Sequence, residues 1–260
     1  MPAVPLDDRG LLLGDGLFET LLWTGGRLVL AEDHAQRMIR GAGVLGLPPP
    51  ELTDFIGAAE AAVAEAGLGA ARAAVRVTLT AGSGGRGLDR PADMQPRLFA
   101  TAAPSARPTT PAALAMSSFR RNAASVTSRL KTLSYLDNVL ARRQALAAGA
   151  DEAVMLNTEG SVAGAAAANL FWVEGEVLVT PPLEAGCLDG ILRGRVLGAA
   201  AGLGIASREA LAEPEALAAA DAVFLTNSLI GVRAAASLGE RTYGPHALVD
   251  ALARSVADAA

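Results

Sequence analysis

Ser128-Arg129-Leu130-Lys131-Thr132-Leu133-Ser134-Tyr135-Leu136-Asp137-Asn138 is the stretch on which the reading of this chain turns, because it holds the single lysine among 22 lysines and arginines. The other 21 are arginines. A coding style rich in alanine and arginine replaces lysine wherever a generic positive charge is enough. Guanidinium stays protonated above about pH 12, so arginine cannot supply a neutral primary amine that forms an imine. Lys131 is therefore a Schiff-base candidate, and the opposing reading is a solvated surface charge retained by drift. Composition alone does not separate the two, so the surrounding sequence must.

The chain has 260 residues, 51% of them apolar and 19% charged, which suits a buried core in two domains or one large one. No apolar run approaches the ~18 residues of a membrane span, and residues 1–10 lack a basic stretch followed by an apolar one. No membrane partner and no signal peptide are expected. A formal charge of -5 argues against a nucleic-acid partner, which needs a basic face. The one cysteine, Cys187, cannot close an intramolecular disulfide, and His34 and His246 are too few for a zinc site, so no metal is expected and a reducing cytoplasm fits.

Glycine, proline and hydrophobic periodicity divide the chain. The run Leu11–Trp23 and the Gly25-Gly26 turn into Arg27–Leu30 predict a hairpin, Asp33 an N-cap for a helix through Leu45, and Thr53 a second helix to Ala66. Val75, Val77 and Leu79 alternate with Arg76, Thr78 and Thr80 as in a half-buried strand, and Gly82–Gly87 is a glycine-rich loop before a strand at Arg97–Ala102. Prolines 104, 108 and 111 mark a linker over 104–111, dividing an N-terminal α/β domain over 1–103 from a larger one over 112–260 that carries the lysine. In the second part, strands are expected at Ala112–Phe119, Glu152–Leu156, Asn169–Val173, Val177–Val179 and Ala222–Leu225. Helices are expected over Thr132–Ala148, with Leu133, Leu136, Leu140 and Ala147 on one face, over Gly190–Leu203 and over His246–Ala259.

Lys131 stands among further motifs: Asp8-Arg9-Gly10, Gly14-Asp15-Gly16-Leu17-Phe18-Glu19-Thr20, Asn157-Thr158-Glu159-Gly160-Ser161-Val162 and Asn169-Leu170-Phe171. In this order the chain resembles class IV aminotransferases over about Asp7 to Leu238. That fold-type IV pyridoxal-phosphate family includes branched-chain aminotransferases, D-amino-acid aminotransferases and 4-amino-4-deoxychorismate lyases. The resemblance implies two α/β domains with pyridoxal 5'-phosphate in the cleft between them, a homodimer, and Lys131 as the catalytic imine-forming lysine and proton shuttle.

Other site residues are carried over position by position. His34-Ala35-Gln36-Arg37 is similar to the family's His-x-x-Arg, which implies that Arg37 grips the phosphate with two donors. Gly190-Ile191-Leu192-Arg193 resembles the family's Gly-Ile-Thr-Arg, where the N–H groups of Ile191 and Leu192 would cradle the phosphate at a helix start; Leu192 replaces a threonine. Thr226-Asn227-Ser228-Leu229 resembles the third phosphate-side segment, in the form of the lyase branch, and Asn169 stands where the family has its asparagine. The glutamate that pairs with the pyridine nitrogen in the family is replaced by Gly164, followed by four alanines, Ala165–Ala168.

On the substrate side, Arg86 matches a carboxylate-binding arginine of D-amino-acid aminotransferases, but Leu88 and Phe18 stand for that branch's histidine and tyrosine. The opposing reading of Arg86 is a loop charge in solvent. The resemblance implies foremost a lyase that converts 4-amino-4-deoxychorismate to 4-aminobenzoate and pyruvate. A D-amino-acid or branched-chain aminotransferase is the alternative, and a catalytically impaired relative the third.

Overall fold

Alternation in residues 75–80 sets up the first of two sheets. The computed structural model describes residues 4–258. The chain divides into two compact units, one of residues up to 106 with 130–134, the other of 107–129 with 135 onward.

The first unit contains α1 (Arg9–Leu13), β1 (Gly16–Thr24), β2 (Arg27–Leu28), α2 (Ala31–Leu45), α3 (Leu52–Glu65), β3 (Ala73–Thr80) and β4 (Arg97–Pro104). Its antiparallel sheet runs β2-β1-β3-β4, with Glu19 opposite Val77 and Phe18 opposite Thr78. Because side chains alternate along a strand, Leu17, Leu21, Val75, Val77 and Leu79 share one face. They close a core with Met38 and Ala42 of α2 and Phe55, Ala59 and Val63 of α3. Phe18, Thr20, Arg76 and Thr78 occupy the opposite face.

Two local expectations are corrected here. Residues 9–13 form a helical turn, because the Asp8 carboxylate accepts the Gly10 N–H and Gly14 ends the turn at φ +68. The strand accordingly begins at Gly16. The next helix starts at Ala31 after Leu30 in a left-handed conformation, which puts Asp33 inside the first turn, where a carboxylate meets the positive helix end.

The second unit comprises β5 (Ala112–Arg121), α4 (Val126–Arg129), α5 (Leu136–Ala147), β6 (Glu152–Asn157), β7 (Val162–Ala165), β8 (Asn169–Glu174), β9 (Val177–Thr180), α6 (Ile191–Gly202), β10 (Ser207–Glu209), α7 (Glu215–Ala219), β11 (Ala222–Asn227), β12 (Gly231–Leu238), β13 (Arg241–Thr242) and α8 (Ala247–Asp258). Eight strands run β10-β9-β8-β11-β12-β5-β6-β7, and β13 pairs with β12. The sheet mixes parallel pairs such as β5–β6 with antiparallel ones such as β8–β11. Val154, Leu156, Leu170, Trp172, Val223 and Leu225 build one core of this unit, and Phe171 stacks on Phe224 at 5.0 Å. The expected end of the closing helix, Ala259, lies outside the described residues.

The helix expected from Thr132 begins only at Leu136, because Thr132 bridges to Leu17 of β1 and residues 130–134 belong to the first unit. Its buried stripe is Ala141 and Ala145, not the leucine face, and Leu136 is 68% exposed. Alanines at those positions pack with Ala113, Ala115, Ala153 and Met155, allowing close approach of helix to sheet. Among the described residues no helix is long and apolar enough to cross a membrane.

This packing makes a paired prediction for α5. Ala145→Leu overpacks the helix–sheet contact and lowers stability by about 1–3 kcal/mol, whereas Leu146→Gln, at a position 57% exposed, stays within about 0.5 kcal/mol. Urea unfolding midpoints of the two variants check the register.

Candidate active site

Lys131 closes a turn beside an isolated bridge to the edge of β1. The Phe18 N–H donates to the Lys131 carbonyl at 2.9 Å, the Leu133 N–H to the Gly16 carbonyl at 3.0 Å, and Leu17 faces Thr132 in an antiparallel bridge. The register puts the Lys131 side chain on the face of Phe18 and Arg76. Its Nζ lies 4.3 Å from the Phe18 ring centroid, and the Arg76 guanidinium carbon lies 3.6 Å from that centroid. The buried ring thus lies within cation–π range of both groups. Arg76 was read from the sequence only as the polar half of an alternating strand.

On the helix-covered face of β1, Glu19 organises a second cluster. Its Oε1 accepts from Arg37 Nε at 2.8 Å and its Oε2 from Arg37 Nη2 at 2.6 Å, while His34 Nδ1 contacts Oε2 at 2.7 Å. Burial pushes the Glu19 carboxyl up, but the Arg37 charge and the hydrogen bonds from Arg37 and His34 outweigh it and bring it down to about 2. Burial pushes His34 down against the pull of Glu19, so the imidazole is neutral near pH 7 and donates from Nδ1. The edge of Arg37 formed by Nε and Nη2 is therefore engaged by Glu19. The resemblance assigns that fork to phosphate; within this unit it holds a carboxylate, and an anion would meet the guanidinium from another side. Glu19 stands in the quoted Gly-Asp-Gly-Leu-Phe-Glu-Thr motif, yet only the geometry shows that it orients both residues of His-x-x-Arg.

Arg86 sits exposed in the glycine-rich loop. That loop is anchored by Arg9, a buried side chain whose Nη1 and Nη2 donate to the Asp89 and Leu88 carbonyls at 3.0 Å each and whose Nε meets Asp15 at 3.0 Å. Arg90 grips the same Asp15 carboxylate. A Cβ on Gly85 would stand 2.2 Å from the Asp89 carbonyl, so the loop closes only with glycine there.

In the second unit, one end of the sheet gathers Asn169, Gly190–Leu192 and Thr226–Ser228. Asn169 pairs with Thr226 across β8 and β11, and its side chain donates to the Leu188 carbonyl at 2.8 Å. A Cβ at Gly190 would stand 1.9 Å from Asn169 Oδ1, so glycine is required where α6 begins. Gly190 caps α6 without a side-chain hydrogen bond, and the N–H groups of Ile191 and Leu192 stand at the positive helix end. Thr226 is fully buried and its hydroxyl has no hydrogen-bond partner. The Asn227 carboxamide accepts from the Leu229 and Ile230 N–H groups and donates to the Ala167 carbonyl, which fixes the turn carrying Ser228.

Gly164 lies on β7 opposite Met155 at φ +135, a conformation that side-chain-bearing residues avoid. A Cβ there would find only the Ala168 carbonyl, at 3.6 Å, so space for a side chain exists while the backbone opposes one. The alanine run after it is held by side-chain donors: Arg121 on Ala165 at 3.0 Å, Asn138 on Ala166 at 2.7 Å and Asn227 on Ala167 at 2.9 Å. Among the described residues no cluster of histidine, cysteine and carboxylates could hold a metal.

Residues 16–238 match the family Amino-transferase class IV. The structure of 4-amino-4-deoxychorismate lyase from Pseudomonas aeruginosa is similar with a TM-score of 0.86 and 30% identity, over 99% of this chain and 96% of that one. Branched-chain aminotransferase from Thermoproteus uzoniensis gives a TM-score of 0.90 at 28% identity, over 98% and 88%. An aminodeoxychorismate lyase of Vibrio harveyi is 28% identical over 234 residues, 88% of this chain and 85% of that one. Fold and matches together define a pyridoxal-phosphate-dependent class of enzyme. The chain belongs to the class IV aminotransferase family.

Two measurements probe the clusters. The Glu19 carboxyl is lower in the folded than in the unfolded chain, so its stabilisation is complete above about pH 4.5 and is lost as pH falls towards 2. Glu19→Gln should lack that part of the acid unfolding profile, on the order of 3 kcal/mol in wild type. Gly190→Ala should cost about 1–3 kcal/mol through its clash with Asn169, while Gly194→Ala, with no neighbour within 4 Å of its Cβ, should be neutral or stabilising by up to about 1 kcal/mol; thermal melts separate the two.

Proposed function

We propose that this enzyme carries pyridoxal 5'-phosphate on Lys131 and acts as a 4-amino-4-deoxychorismate lyase, forming 4-aminobenzoate and pyruvate. The observation that carries the reading is the placement of the sole lysine beside the edge of β1, with its amine 4.3 Å from the buried Phe18 ring. The residues present suit the cofactor. An uncapped helix start at Ile191 and Leu192, the partnerless Thr226 hydroxyl and the Asn227-Ser228 turn form a cradle for a phosphate, and Asn169 shapes it through Gly190. Arg37, oriented by Glu19, adds a fixed positive charge.

When bound, the cofactor supplies an aldehyde that condenses with amines and a ring that withdraws electrons. Lys131 then takes a proton from the substrate carbon and returns one during product release, a role open to an amine and closed to guanidinium. Arg86 would meet a substrate carboxylate from a loop held in shape by Arg9. Two features favour elimination over transamination: Asn227-Ser228-Leu229 is similar to the lyase branch, and Gly164 removes the carboxylate that strengthens electron withdrawal. A reaction that ends in an aromatic ring draws part of its driving force from aromatisation and depends less on that withdrawal.

Borohydride reduction of the cofactor-loaded protein followed by peptide mapping should label Lys131 alone, and Lys131→Ala should take no label while staying folded. The loaded wild type should release pyruvate and 4-aminobenzoate in equal amounts from 4-amino-4-deoxychorismate. Amino-group transfer to 2-oxo acids with no pyruvate release would replace the lyase reading by an aminotransferase; label elsewhere than Lys131 would remove the lysine assignment.

A further inference from the structure

Gly164 leaves the family's carboxylate position without a side chain, and the backbone that follows is tied both to a carboxylate, Glu152 at the Ala166 N–H, and to a cation. Arg121, on β5, donates from Nη2 to the carbonyl of Ala165, the next residue along, at 3.0 Å. Its Nε is buried and has no hydrogen-bond partner. A buried N–H without an acceptor is left unsatisfied at a cost to stability, so a guanidinium in this state is poised for a ligand that brings a lone pair. The next two carbonyls of the alanine run are taken by the neutral side chains of Asn138 and Asn227, neither of which supplies negative charge.

We propose that Arg121 faces the pyridine nitrogen of the cofactor and holds it as an unprotonated hydrogen-bond acceptor, in place of the carboxylate that would hold it as a pyridinium. The inference rests on the cofactor reading above. A pyridine nitrogen has one lone pair, which can carry a proton or accept from a donor, but not both. Guanidinium is donor-only and permanently charged, so it offers the proton no acceptor and its charge opposes protonation of a neighbouring base. Open space at Gly164 and the unused Nε of Arg121 are two independent features of one backbone stretch. The outcome is a ring that withdraws electrons less strongly, which matches a reaction helped by aromatisation better than one that must build up full carbanion character.

The test reads the nitrogen directly. Wild type, Arg121→Gln and Arg121→Glu are loaded in carboxylate-free buffer at pH 7 with pyridoxal phosphate labelled with nitrogen-15 in the ring. Attachment to Lys131 is verified by borohydride trapping, and the ring nitrogen is observed by NMR, where pyridine and pyridinium resonate far apart. Wild type should fall in the pyridine range. Arg121→Gln should stay there with a resolved shift and bind the cofactor about tenfold more weakly, the loss of a charge-assisted hydrogen bond. Arg121→Glu should move the signal to the pyridinium range; if that variant does not fold, the other two proteins decide. A pyridinium signal in wild type, or identical signals in wild type and Arg121→Gln, overturns the proposal while leaving Lys131 attachment intact. Absence of attachment removes the cofactor reading and this inference together.

Discussion

Two backbone hydrogen bonds, from the Phe18 N–H to the Lys131 carbonyl and from the Leu133 N–H to the Gly16 carbonyl, decide where the sole lysine of this chain stands. They tie residues 131–133 to the edge of β1 in the middle of a segment whose flanks belong to the other unit. A strand residue has its side-chain direction fixed by register, so pairing Leu17 with Thr132 sends Lys131 to the face of Phe18 and Arg76. A one-residue slip would turn the amine into the helix-covered core. The sole lysine is thus placed by main-chain geometry, which its long side chain could not achieve by packing alone.

The same strand supplies both faces of the first unit's polar machinery. Phe18 points to the amine and Glu19 to α2, one residue apart and on opposite sides. Glu19 is 1% exposed and survives there as a charge because Arg37 and His34 complete its hydrogen bonds; removing one partner of such a buried group costs more than the pair contributes. Arg37 is consequently oriented before any ligand arrives, and a preorganised cation loses less entropy on binding an anion. Asp15 does the equivalent for the loop, sharing its carboxylate between Arg9 and Arg90 so that the backbone around Arg86 keeps one shape.

Much of this was legible in the sequence, and the failures have physical causes. Period two announced β3, and glycine or proline punctuation announced α2, α3, α6 and most strands of the second sheet within a few residues. Lys131 stood out because it is the only lysine, and the start of α6 because Gly190 precedes it. β7 and β12 were missed: β7 is four residues buried on both faces and shows no alternation, and small residues blur the pattern of β12. The helix after the lysine reads as starting early because Leu133 and Leu136 fit a helical stripe, whereas tertiary pairing with β1 claims Thr132 and Leu133. Glu19, Arg9, Arg76 and Arg121 carried no signal of role, since each acts through a partner far away in sequence.

The missing carboxylate shows how backbone and side chain constrain one another. At φ +135 position 164 accepts glycine readily and other residues at a cost, so restoring a glutamate requires the strand to change conformation as well as composition. The departure therefore reaches beyond one side chain: β7, the alanine run and the three donors that pin its carbonyls form a single arrangement built around glycine. Position 164 thus carries no carboxylate, and the Arg121 guanidinium is held at the Ala165 carbonyl one residue further on. Charge at that point sets how strongly an aromatic ligand can draw electrons, and so which reactions of the family's repertoire remain fast enough to matter.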